Sequence, residues 1–589
     1  MRMMTKLFGI AVTLTAFTVA GNAQTVRFNA IGSSALFLQA GLAASTPIAS
    51  HGVGATCVWS QKSGLANSLQ ATDPTVTTSV LTETGNAWVA WTPGSTGTCA
   101  APAGTGIDIY AYLQTDSVIG NRCYANGCTV GVVTGGNPVG STPSNLISSS
   151  EITVPQAIWT ALNNHVVTAA GTDIRPEDAV FATNRGLTAC GQPVSGSSYL
   201  GLGYASAGIP IHSFYSTSTF HVVSFTLPSS YAVLPVGAVP IVVGVNPSGS
   251  GFGSGVSNID HTTLARFLDG TLGLTGDLTG SASNLPATVL IREPLSGTYN
   301  TMEFSIPNTT TNSAGSGFNL QTSQDVGTTQ PSGELNCDGS NPIQYPAGSG
   351  NYTMHIASAD SVGGVPGYRN RAIGTGQEVS ELLALPDSLG YAFWSTANFA
   401  AATSTNVKYL TVDGADPLYD PSGSSYSTIK GQVPTATNGY LTNVTFTNLQ
   451  DGTYPIWSLL RLVTSASGLN NIYATKVATA AQYFISATSR PDFVPFLNTT
   501  TTTGLAPLAV AHSHFAPPGY TGSVSNGTGA FKNTSGGSLA PNCSSTEAGG
   551  DVGGVILGVG AALPSGTTLL SDNAYCAATS TAGQTGLRK

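Results

Sequence analysis

Apolar positions along the chain fall into alternating and fourfold patterns that follow one another as strands and helices. Residues 25–31 (TVRFNAI) alternate as a strand, and 36–44 (LFLQAGLAA) follow as a helix. Residues 107–113 alternate again and end in a polar turn at 116–122 (DSVIGNR). Residues 155–169 suit a helix, with Pro155 in the first turn and Ile158, Leu162 and Val166 on one face. In 170–178 (AGTDIRPED), Asp173 sits in a turn, and Pro176 with two acids opens the next helix. Apolar, β-branched residues over 219–246 predict buried strands. Residues 257–270 predict a helix capped by Asp260 and ended by Gly270.

A short strand at 287–291 delivers Arg292, then a Pro-containing turn, then Ser296-Gly297-Thr298 at the opening of a helix. Further on, 374–385 reads as a helix, 388–393 as a strand, and 407–412 and 451–463 lead to a helix around Tyr473, Val477, Ala481 and Phe484. Strands alternating with helices predict an α/β fold with mainly parallel sheets. Residues 51–105, 306–352 and 500–589 are rich in Gly, Ser and Thr. They read as an inserted excursion, a loop and an appended loop-rich segment.

The N-terminal pattern predicts export. Met1 to Lys6 is basic, residues 7–21 are apolar, and Gly21 and Ala23 stand at −3 and −1, the pattern of a signal peptide cleaved after Ala23. The run is too short to favour a membrane anchor. Loss of Arg2 and Lys6 takes the formal charge from −9 to −11. An acidic chain with 8% charged residues argues against nucleic acid as a partner, because such binding rests on Lys and Arg against phosphates. The 71 glycines suggest loops, but 41% apolar residues argue for a packed core. At 589 residues, more than one domain is expected. Eight cysteines in an exported chain point to disulfides. The expected pairs are Cys123 with Cys128, Cys57 with Cys99, Cys543 with Cys576 and, by elimination, Cys190 with Cys337. No CxxC motif suggests zinc, and His512-Ser513-His514 lacks a third ligand. No cofactor is expected.

The stretch around Arg292 carries the candidate chemistry. A helix N-terminus exposes unpaired N–H groups and a partial positive charge. Two hydroxyls, a glycine that admits a ligand to the backbone, and an arginine able to fork onto two oxygens complete a nest for a tetrahedral oxyanion. The plainer alternative is a surface arginine followed by an ordinary capped helix. Residues 32–37 (GSSALF) form a second strand–turn–helix unit with hydroxyls at the helix start, for which a simple Ser cap is the plain reading.

With these turns in view, the chain resembles the PstS-type phosphate-binding proteins of ABC importers, which are two-lobed type 2 periplasmic binding proteins. The most specific match is Arg292 with Ser296, Gly297 and Thr298, in the spacing of that family's anion loop. GSSALF matches its first loop, which implies Ser34 and the Ala35 amide as donors. AGTDIRPED matches the segment supplying a ligand-binding aspartate, here Asp173, and DSVIGN a serine motif, here Ser117. The likeness covers about 25–40, 107–125, 155–300 and 370–490. An acid often found two residues after the arginine is replaced by Pro294, with Glu293 adjoining instead.

The resemblance implies hinged lobes, 24–245 with 396–499 (carrying the 51–105 insertion) and 246–395. They would close on phosphate or a related oxyanion in a periplasmic or secreted, monomeric protein that serves an ABC permease. It implies capture rather than catalysis. Asp173 would accept a hydrogen bond that protonated phosphate donates and sulfate cannot. The rival reading is a surface or structural protein that keeps the fold without transport. No GxSxG or HExxH motif supports a hydrolase.

Overall fold

The computed structural model describes residues 24–179 (without 64, 66, 76–80, 96, 101–105, 133–137 and 177–178), 225–306 (without 254, 269, 283 and 294) and 355–496 (without 373, 451–452 and 485–491). It also describes residue 508 and the short strand pairs 193–194/198–199, 343–344/352–353 and 510–512/555–557. The leader, the pairings of Cys190 with Cys337 and Cys543 with Cys576, His514, and most of 306–352 and 500–589 lie outside the described residues.

The fold is mixed α/β around one thirteen-stranded sheet. In chain order its main elements begin with β1 (Gln24–Ser33), α1 (Phe37–Ser45), β2 (Cys57–Gln61), β3 (Ala87–Trp91) and β4 (Ile107–Thr115). There follow α2 (Ser117–Asn126), β5 (Ala169–Thr172), β6 (Ala232–Val245), β7 (Thr288–Arg292) and α3 (Gly297–Ser305). The last are β8 (His355–Val362), β9 (Val365–Ala372), α4 (Thr375–Ala384), β10 (Ser388–Phe393), β11 (Trp457–Thr464) and α5 (Leu469–Ala481). Eleven strands run in the order β8-β9-β7-β10-β6-β11-β5-β1-β4-β3-β2, and two short ones, Lys408–Tyr409 and Val494–Pro495, pair with β6 off this path. Each half is parallel at its centre: β4 and β5 flank β1, and β9 and β10 flank β7.

Strand β6 joins the halves. Its residues 232–240 pair with β11, and 241–245 pair with β10. The change falls at Pro240, which has no N–H for the ladder and whose carbonyl accepts from Trp394 at 2.8 Å. A bulge between Pro235 and Gly237 bends the same strand. One apolar cluster lies in the half built on β1, another in the half built on β7, and a third draws residues from both halves.

The segment 51–105, read from its composition as an excursion, supplies two strands of the main sheet. AWVAW in β3 places Trp88 and Trp91 in full burial, and Trp59 of β2 joins them. Trp88 donates to the Phe37 carbonyl at 2.9 Å, so the indole N–H is satisfied as its ring is buried. The Cys57–Cys99 and Cys123–Cys128 disulfides are both formed. The polar run at 116–122 is not a turn: only Asp116 stays extended, and Ser117 opens α2, whose Val118 and Ile119 are buried. The helix expected over 155–169 is shorter, Gln156–Leu162, because Asn164 takes a left-handed backbone before β5 begins. No described helix is long and apolar enough to cross a membrane.

Candidate functional site

Strands β1, β4, β5 and β7 each end in a short polar segment, and these segments meet. Glycine allows the approach in the first half. Gly32, with φ at +136°, lies against the Gly171 carbonyl so closely that no Cβ would fit. The Tyr112 hydroxyl donates to the Ser33 carbonyl at 2.7 Å and fixes the end of β1. Ser33 then caps the following turn: its Oγ accepts from the Ala35 N–H at 3.2 Å and donates to the Asp173 carboxylate. On the next loop, the Asp173 N–H donates to Ser117 Oγ at 3.0 Å. From below, Arg461 of β11 donates to the Asp173 carbonyl at 3.0 Å. Three loops of one half are thereby tied around a single buried aspartate.

The other half brings α3. Ser296 is its N-cap, with Oγ accepting from the Tyr299 N–H at 3.4 Å. The first amides of the helix, Gly297 and Thr298, have no intrahelical acceptor. Gly297 is pressed against the first half. A Cβ there would stand 2.6 Å from Asp173 Oδ2 and 2.7 Å from Asp173 Cβ, and closer still to Ser117 Oγ. The Val118 N–H donates to the Leu295 carbonyl at 3.2 Å across the same junction.

Arg292 is buried at the end of β7 and fully engaged by its own protein. Its Nε and Nη2 fork onto both oxygens of Glu293, at 2.9 and 2.7 Å. Nη1 donates to Thr375 Oγ1 at 2.7 Å, and Nη2 reaches Asp116 Oδ1 at 3.4 Å. Glu293 also accepts the Gly374 N–H at 3.1 Å, at the start of α4. Asp116 stands at the N-cap position of α2 without capping it, and its side chain faces Arg292 instead.

Acids outnumber cations here, and burial raises the cost of charging them. Burial, then the neighbouring Glu293, pushes the Asp116 carboxyl well above its ordinary range. Burial also works against Glu293, but the charge and fork of Arg292 outweigh it and hold that carboxyl low. Asp173 is raised by burial against the pull of the Ser33 and Ser117 hydrogen bonds. Glu378 of α4, with Oε1 accepting the Tyr391 N–H at 3.0 Å, is pushed up to about 8 by burial.

Of the residues expected from the sequence, Ser117, Asp173 and Gly297 meet directly, with Ser296 capping the helix that Gly297 opens. Thr298 is buried in that first turn, and Arg292 connects to the meeting point through Asp116. Ser34 is half-buried; the hydroxyl that reaches Asp173 is that of Ser33, and the Ala35 amide is taken up by Ser33. Asp116, Glu293, Thr375 and Arg461 were not foreseen as members. Glu293 alone carried a signal, as the acid displaced from its usual place. Among the described residues, no three His, Cys, Asp or Glu side chains are grouped to hold a metal ion.

No protein family matches the chain, and no curated protein matches it. Solved structures similar to it are phosphate-binding proteins. The periplasmic phosphate-binding protein PfluDING, bound with phosphate, has 14% identity and a TM-score of 0.30, over 67% of this chain and 84% of that one. The phosphate-binding protein of Stenotrophomonas maltophilia has 14% identity and a TM-score of 0.27, over 67% and 91%. PstS of Borrelia burgdorferi has 12% identity and a TM-score of 0.23, over 42% and 66%. The chain spans 65 to 67% of the length of the structures from Clostridium perfringens, Vibrio cholerae and B. burgdorferi.

Proposed function

We propose that the chain is exported as a monomer and captures phosphate, or a closely similar tetrahedral oxyanion, for an ABC permease. Its lobes would be 24–245 with 396–499, and 246–395. The observation that carries this reading is the contact of Gly297 with Ser117 and Asp173. It sets the amide end of α3 against a hydroxyl and a buried carboxylate from loops of the opposite half. Parting the halves slightly opens a polar niche in which the Gly297 and Thr298 amides and the Ser117 hydroxyl donate. Such donors replace the hydration of an anion that enters a buried site. Asp173 accepts from a protonated oxyanion and has nothing to accept from sulfate. A buried acceptor left unpaired is a strong basis for discrimination.

One observation favours a second reading, a surface or structural protein without transport: Arg292 is already satisfied by Glu293, Thr375 and Asp116. A thermal-shift panel of phosphate, sulfate, molybdate and no ligand separates the two. Ligand at 100 times its Kd stabilises the fold by about 2.7 kcal/mol. A melting temperature unmoved by millimolar phosphate removes the capture reading. If phosphate does raise it, Asp173→Asn should narrow the gap between phosphate and sulfate, as measured by calorimetry.

A further inference from the structure

Where the turn after α1 meets the C-terminal part of α5, the surface holds a cleft of about 420 Å3. It shares no lining residue with the site around Arg292. Its size falls within the range of about 300–1,000 Å3 common to small-molecule sites.

The walls are fixed. The His51 N–H donates to the Ile48 carbonyl at 3.0 Å, and the Val53 N–H donates to the Ala43 carbonyl of α1 at 2.8 Å. His51 itself has φ at +66°, the left-handed region that costs a non-glycine residue about 1 kcal/mol and persists only where the surroundings impose it. Its ring is stacked on Tyr483, with centroids 4.2 Å apart and planes 3° apart. Beside this pair stands Ile48, 75% exposed, an unusual display for a large aliphatic side chain.

The polar side chains are few: besides His51 and Tyr483, Thr475, Thr479 and Lys476 line the cleft, and no acid is among the described lining residues. The Lys476 ammonium lies 4.8 Å from the centroid of the Tyr473 ring, which also receives Arg27 at 4.9 Å. Arg27 is paired with Asp108, whereas among the described residues Lys476 pairs with no carboxylate.

We propose that this cleft binds a small amphipathic anion, a flat apolar or aromatic body bearing one carboxylate or sulfonate. The body lies against the His51–Tyr483 stack and Ile48, and the acid group meets Lys476 and a threonine hydroxyl. A single ammonium acts as a point charge, without the fork that recognises several oxygens at once. The expected ligand is therefore a different class from the tetrahedral oxyanion.

The test is a fluorescence titration of the full chain with 1-anilinonaphthalene-8-sulfonate, a flat aromatic sulfonate. Saturable one-to-one binding is expected, displaced by indole-3-acetate and unaffected by excess phosphate. Lys476→Met should weaken it about fivefold or more, the scale of one charge-assisted contact at a half-open site. Tyr483→Ala should weaken it about tenfold, from loss of the stacked wall. Lys476 is exposed, so Lys476→Met should melt at the wild-type temperature, which separates a binding loss from a folding loss. Non-saturable binding, displacement by phosphate, or wild-type affinity in both variants would overturn the proposal.

Discussion

Replacing Gly297 by alanine tests whether the two halves must touch for the site to work. The added methyl would stand 2.6 Å from Asp173 Oδ2, where real Cβ contacts essentially never lie, and Ser117 Oγ would be nearer still. Neither neighbour can yield. Asp173 is held by Ser33 and Arg461, and Ser117 Oγ by the Asp173 amide. Relief comes only from parting the halves. Overpacking of this kind costs about 1–3 kcal/mol. Charged to the closed form alone, that is a loss of about 5- to 150-fold in phosphate affinity at 1.4 kcal/mol per factor of ten. Folding within each half should not suffer, because alanine is the better helix former and position 297 needs no left-handed backbone. The assay is calorimetric titration of both proteins with phosphate, alongside melting curves without ligand. Wild-type affinity in Gly297→Ala would show that the contact plays no part in binding.

Three further outcomes follow from the same geometry. Glu293→Gln removes the charge that occupies the Arg292 fork, so phosphate should bind about tenfold more tightly, while the ligand-free protein loses stability; calorimetry and urea melts read both. Glu378→Gln should remove a pH dependence of stability. The buried acid is raised from 4.5 to about 8, so between those values the folded chain holds a proton that the unfolded chain has lost. Stability therefore falls as pH rises through that window, by up to about 1.4 kcal/mol per unit, and the variant should flatten this slope in urea melts between pH 5 and 9. Cys99→Ser opens a bridge between residues 42 apart and should cost up to about 4 kcal/mol in the chain-entropy account, seen as a lower urea midpoint.

What the sequence makes legible here are elements whose pattern is local. β7 reads as a strand from the apolar run at 287–291, and α3 begins at Gly297 because Ser296 opens a Ser-Gly-Thr capping sequence. The company Arg292 keeps is another matter. Thr375 and Asp116 lie 83 and 176 residues away, and nothing in a linear pattern reports that they meet it. The choice between Ser33 and Ser34 turns on where β1 ends. The strand runs through Ser33, so it is that side chain which points toward Asp173. Composition was silent on the strands within 51–105, where small residues around β2 and β3 obscured two short strands whose tryptophans are fully buried. At 116–122 the run read as a polar turn is instead the start of α2, in which Asn121 and Arg122 are buried. Arg122 achieves this by pairing with Glu83 and Asp73.

The acid surplus around Arg292 bears on how such a site could accept an anion at all. Glu293, Asp116, Asp173 and Glu378 are all buried within reach of one guanidinium, with Arg461 behind Asp173. Were every acid ionised, the cluster would carry net negative charge before any ligand arrived, and desolvated like charges cannot be sustained at that density. Burial eases this by moving Asp116 and Glu378 toward the neutral form, while Glu293 is held low in the arginine fork and Asp173, also raised by burial, keeps the Ser33 and Ser117 hydrogen bonds that favour its charged form. A bound phosphate would add to the negative side, so its capture must either draw in further protons or displace Glu293 from the fork. Both routes weaken as pH rises, even though the doubly charged form of phosphate then becomes more abundant. Affinity in this protein should therefore follow the protonation of its own buried acids rather than the charge of the ligand, which is the reverse of what a simple cationic pocket would give.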